Sequence, residues 1–105
     1  MIDTRQLPVE YPHIREDLVE MAGDENLIFL DGFDHCITGL CSIHGEVPRV
    51  AYSTEAIIET LQKRDGMPYE EATEFFDFNI GGLHCGPYTP ALVLSAPGVE
   101  ITVKR

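Results

Sequence analysis

The segment FDHCITGLCSIHGEV, residues 33–47, gathers two of the chain's three cysteines and two of its four histidines. Thiolate sulfur and imidazole nitrogen are ligands of tetrahedral zinc, and they are also the nucleophile and base of cysteine-dependent enzymes. Cys36, Cys41 and His44 follow a C-x4-C-x2-H spacing, and the distant His84–Cys85 pair offers a fourth ligand. That spacing departs from the C-x2-C knuckles that mark zinc sites. On a straight strand, side chains alternate faces and rise about 3.3 Å per residue, so Cys36 and Cys41 point oppositely and lie about 16 Å apart. Only a sharp bend at Gly39 brings them together. If extended, the His35–Cys36 and His84–Cys85 dipeptides each split their pair across two faces, so a thiol–imidazole dyad requires Cys85 beside His44 or His35. Free cysteine commonly behaves as a small buried hydrophobe. Strand lining is therefore the reading taken here. A small metal-binding or cysteine-dependent enzyme using Cys36, Cys41, His44, His84 and Cys85 stands as the alternative.

A second group of polar residues surrounds the DGFD turn. Asp31 and Asp34 could hold a hard cation or work as an acid–base pair. Asp-Gly is also a hairpin signal, because both residues tolerate positive φ. Asn79 falls on or beside an apolar helical stripe, where its amide must be hydrogen-bonded or exposed. With Asp31 and Asp34 it completes the residues expected to border a cleft. The sequence contains no P-loop, G-x-G-x-x-G, H-E-x-x-H or G-x-S-x-G pattern. No cofactor is expected.

Charge is the strongest compositional fact. Eighteen acidic against seven basic side chains leave the 105-residue chain at −11. Replacing the counterions of nucleic acid or of an anionic membrane needs lysine and arginine, so direct binding to either is disfavoured. A basic protein surface is the complementary partner. Two helical faces present the acids for it, Glu16/Asp17/Glu20 and Glu70/Glu71/Glu74/Asp77. Three cysteines cannot all pair within one chain, and the N-terminal MIDTRQLPVEYPH does not read as a secretory leader. Both observations predict a reducing, cytoplasmic setting.

The elements that must position these groups follow from periodicity. Pro12 to Ala22 reads as a helix with Ile14, Leu18, Met21 and Ala22 on one side and Gly23 as a left-handed stop. NLIFL (26–30), FDHCITGLCSI (33–43) and RVAYS (49–53) read as a three-stranded meander, with hairpin turns at Asp31–Gly32 and 44–48 and a bulge at Gly39. STEAIIETLQKR (53–64) is a helix capped by Ser53 or Thr54, ended by DGM at 65–67. Pro68 opens a second helix whose apolar positions are Ala72, Phe75, Phe76, Asn79, Ile80 and Leu83. ALVLS and VEITVKR, joined through Pro97–Gly98, read as a closing hairpin. The expectation is a single α+β domain over residues 1–105, in the order α-β-β-β-α-α-β-β. Its sheet has about five mostly antiparallel strands with helices on one face.

DGMPYEEATEFFDFNIGG, with the upstream DGFDHCITGL and the downstream YTPALVL, resembles a family of small proteins of tailed bacteriophages and prophages. Its relatives carry a D-G-M-x-Y-E-E-A-x-E-F-F-x-F-N helix after a strand of the G-F-D-x-x-I-x-G type. The resemblance spans about residues 27–95 and carries over no catalytic residue. It implies a host-cytoplasmic accessory protein. Combined with the charge, it suggests a non-enzymatic module binding a basic bacterial protein, such as an inhibitor of a defence or nucleic-acid enzyme. A homo-oligomer paired through the C-terminal strand is a further expectation.

Overall fold

A computed structural model describes residues 13–96. Their elements are α1 (Ile14–Ala22), a 3₁₀ turn (Asp34–Cys36), β1 (Ile37–Cys41), β2 (Arg49–Ser53), α2 (Thr54–Lys63), α3 (Tyr69–Phe76), a π turn (Asp77–Gly81) and β3 (Ala91–Val93). The α+β class is as expected, but the sheet is not. It has three strands in the order β1-β2-β3, with β1 antiparallel and β3 parallel to the central β2. Pro12, the Pro97–Gly98 turn and the strand expected at 99–105 lie outside the described residues.

The helices begin and end where local chemistry directs. Gly23 takes the left-handed conformation at φ 67°, and its N–H and that of Asp24 both reach the Val19 carbonyl, closing α1. Ser53 caps α2 by accepting the Ala56 N–H at 3.1 Å. Lys63 and Glu59 pair along the outer face of α2 at 2.9 Å. Gly66, at φ 72°, turns the chain towards α3.

Two departures from the expected meander have physical causes. NLIFL joins no strand. The Leu30 N–H donates to the buried Tyr52 hydroxyl at 2.7 Å, a side-chain partner where a ladder would have supplied a carbonyl. Asp31–Gly32 does turn the chain, but the turn runs into the 3₁₀ segment, so β1 starts at Ile37 rather than Phe33. The third departure is direction. α2, α3 and the π turn intervene between β2 and β3, and a helical crossover of that length returns the chain parallel to where it left.

β2 is the centre of the domain. Val50, Ala51 and Tyr52 are all buried, as expected of a strand covered on both faces. Val50 and Tyr52 share one core cluster with Leu18 of α1, Ile57 and Leu61 of α2, and Ala72 and Phe76 of α3. Each valine, leucine, isoleucine or phenylalanine side chain among these, once removed from water, contributes about 1.5–3 kcal/mol.

Tyr52 gives this centre a pH signature. Burial pushes its phenol up to about 12. An unfolded tyrosine ionises near pH 10, so between about pH 10 and 12 the unfolded chain has lost a proton that the folded chain keeps. Stability must therefore fall as pH rises through that window. Urea unfolding is expected to show the fall. Tyr52→Phe flattens it, while costing about 1–3 kcal/mol at neutral pH because the Leu30 N–H loses its acceptor.

Candidate functional site

The DGFD turn is built around arginines. Arg15 of α1 sends Nε to both carboxylate oxygens of Asp34, at 3.0 and 2.9 Å, and Nη2 to Asp34 at 2.9 Å and to Asp31 at 3.0 Å. Its guanidinium also lies over the Phe29 ring, 4.9 Å from the centroid. Arg64, at the end of α2, stacks over Phe33 at 5.0 Å and donates to the Gly32 carbonyl at 2.7 Å. Hydrogen bonding to Asp34 raises the Arg15 pKa above its ordinary value, which keeps the fork charged. Asp31 and Asp34 thus neutralise a side chain of their own fold, and the cation between them is the guanidinium. Asn79 has its hydrogen bond within its own helical segment. It is exposed on the π turn and donates its side-chain amide to the Phe75 carbonyl four residues back, at 3.0 Å.

The cysteines and histidines are distributed rather than gathered. Cys36 is buried in the core, Cys41 is half-buried on β1, and Cys85 is exposed in the loop before β3. His44 and His84 are exposed. Among the described residues, no group of three or more His, Cys, Asp or Glu side chains is placed to hold a metal ion. The spacing that suggested zinc through Cys36, Cys41, His44 and Cys85 is therefore a feature of the sequence alone.

The nearest approach to catalytic geometry is at Thr60. Its hydroxyl donates to the Ala56 carbonyl at 2.7 Å, while His35 Nε2 lies 2.7 Å and Cys36 Sγ 3.6 Å from the same oxygen. With the Thr60 proton on the Ala56 carbonyl, the His35 tautomer that matches this geometry is the one that donates from Nε2. A base that activates a thiol needs a free lone pair there. Burial also pushes the Cys36 thiol up, with the Thr60 contact opposing it. The 3₁₀ turn is what lets adjacent residues 35 and 36 reach one hydroxyl, which extended geometry would have prevented.

The acidic faces differ from each other. On α1, Glu16 pairs with His13 at 3.0 Å, and Glu20 is exposed with Asp17 beside it half-buried. On α3, Glu70, Glu74 and Asp77 fall at i, i+4 and i+7, and Glu71, Phe75 and Phe78 form a parallel stripe at the same spacing. All six are exposed, Phe78 by 87%. The opposite stripe, Ala72, Phe76 and Ile80, is buried. Phe75 was expected among the apolar core positions and lies instead on the outer face, 39% exposed. Three phenylalanines at 75, 76 and 78 cannot share one helical stripe, and that surplus was the available signal.

Among the described residues, no cation neutralises this face. The four lysines and arginines among the described residues pair elsewhere: Arg15 with Asp31 and Asp34, Arg49 with Glu46, Lys63 with Glu59, and Arg64 with Asp65. Among the described residues, Glu70, Glu71, Glu74 and Asp77 have no ion-pair partner. No helix among those residues is long and apolar enough to cross a membrane. No family model, curated protein or solved structure matches the chain.

Two measurements check these assignments. In a double-mutant cycle by urea unfolding, Arg15→Ala and Asp34→Asn should couple by about 1 kcal/mol, as a partly screened bidentate pair does, whereas Arg15→Ala with Asp31→Asn should couple by less than about 0.5 kcal/mol. Pulsed alkylation of the folded protein, read by mass spectrometry, should label Cys85 first and Cys36 only on unfolding.

Proposed function

We propose that the chain is a phage-type accessory protein that works by stoichiometric binding in the host cytoplasm, with α3 as its contact element and a basic surface of a bacterial protein as its target. The observation that carries this reading is the outer face of α3. It sets four unneutralised carboxylates beside two exposed phenylalanines on one continuous helical surface, with Tyr69, 61% exposed, at its N-terminal end.

The energetics favour an external partner for this face. Glu70 and Glu74 are like charges at i, i+4, an arrangement that weakens a helix by a few tenths of a kcal/mol. The helix dipole favours Glu70 and Glu71 in the first turn and disfavours Asp77 past the last. A row of lysines and arginines would relieve that repulsion. Exposed aromatics supply the desolvated anchors that dominate interface energies, and the carboxylates supply steering. A groove that otherwise grips the phosphate backbone has the required charge, which makes a defence or nucleic-acid enzyme the favoured class of target.

The test is affinity capture with the tagged chain from bacterial lysate, repeated with a Glu70→Gln/Glu71→Gln/Glu74→Gln/Asp77→Asn variant and with Phe78→Ala. A stoichiometric partner should be held at about 50 mM salt, released by about 200 mM and displaced by duplex DNA. The charge variant should lose it, and Phe78→Ala should weaken binding at least tenfold while changing stability by less than about 0.5 kcal/mol. Equal recovery by the charge variant, or a partner indifferent to salt, would overturn the reading.

A further inference from the structure

A second contact surface lies on other elements. A groove of about 490 Å³ runs between α1 and β1, within the usual range for sites that take a ligand or an anchoring side chain. Its apolar lining is Ile14, Leu18, Met21 and Ile37, and its carboxylates are Asp17 and Glu20. None of these residues belongs to α3. Gly39 borders it, and no atom lies within 4 Å of where a side chain there would begin, so the groove stays open at that point.

We infer that this groove takes one aliphatic or aromatic side chain of the protein partner, with an adjacent lysine or arginine held by Glu20. The inference rests on the reading of the chain as a module for basic proteins, and it specifies where an apolar anchor sits. Three observations select that occupant.

The first is charge. Glu20 has no ion-pair partner among the described residues, and α1 has no base in its last turn. Arg15, the sole cation of α1, is turned to Asp34 and Asp31. The second is Met21, 71% exposed on the lip. A flexible, polarizable side chain adapts to an incoming apolar group, and methionine is over-used at such surfaces. The third concerns strand β1, which lies at an edge of the described sheet, where a partner could add as a further strand. Its register shifts between Ile37 and Gly39, and the Thr38 hydroxyl folds back to the Ala51 carbonyl at 3.3 Å. A bulge of this kind breaks the flat hydrogen-bonding edge that strand addition needs, which leaves side-chain insertion as the mode.

The test is an NMR titration of isotope-labelled protein with a cationic probe, an eight-residue peptide of alternating leucine and lysine, beside a control of alternating leucine and serine. Saturable shifts at Ile14, Met21, Ile37 and Gly39 are expected with the lysine peptide and at least tenfold weaker binding with the control. Met21→Lys and, independently, Thr38→Lys should each weaken the groove shifts at least tenfold. Both positions are exposed, and unfolding curves verify the fold. The Gln/Asn variant of α3 should leave the groove shifts unchanged. Shifts confined to α3 and indifferent to both lysine variants would overturn the groove while leaving the module standing. Shifts at neither surface at low salt would overturn both. A doubled solution mass abolished by Met21→Lys would make a second copy the occupant, and the proposed basic partner would fall.

Discussion

The fork between Arg15 and the DGFD turn organises the described part of the chain. A carboxylate pair three residues apart on a tight turn repels itself, and one guanidinium resolves that repulsion with bonds to three of the four available oxygens. In doing so it ties α1 to the segment leading into β1. Arg64 holds the same turn from its other side, through Phe33 and the Gly32 carbonyl. Phe33, just before the short 3₁₀ segment, and Cys36, its last residue, then enter the core. Because bases are scarce, this use of arginine has a cost at a distance. The four cations of the described residues are spent near α1, β2 and α2, and among those residues none is left for the acids of α3.

That division separates acids that answer to partners within the fold from acids that do not, in a way composition alone cannot. Asp34, Asp31, Asp65, Glu46 and Glu59 answer to arginine or lysine, and Asp24 accepts the Tyr88 hydroxyl at 2.5 Å, a bond that holds the carboxylate below its usual pKa. Glu55 ties the start of α2 to the segment after β3 by accepting the Ser95 N–H at 3.0 Å. The acids of α3 do none of this. They sit beside phenylalanines that the core has not absorbed, and the proposed contact surface rests on that pairing.

Much of the local structure was legible because it is decided within a few residues. Ser53 as a cap, Gly23 as a left-handed stop and Arg49–Ser53 as a strand each depend on neighbours close in sequence. What escaped depends on partners far away. Nothing near NLIFL announces that a hydroxyl 22 residues later will take its Leu30 N–H. Asp31 and Asp34 read as a turn or a cation site because Arg15 lies 16 and 19 residues upstream. The direction of β3 was hidden because alternation fixes which side chains share a face but says nothing about which way a strand runs. The Cys/His cluster failed for a related reason: spacing along a chain becomes a ligand set only if the fold bends it, and β1 keeps its bulge without bringing those ligands together.

The parallel pairing of β2 with β3 has a consequence for how the molecule assembles. The pairing of Ala51 with Ala91 and of Ser53 with Val93 closes a loop that contains both α2 and α3. Closing so long a loop costs entropy that its few ladder contacts repay only once the intervening segment is compact, so the helices must largely form before β3 can seat. β3 is three residues long. The acidic helix therefore lies inside a long loop that so short a strand closes.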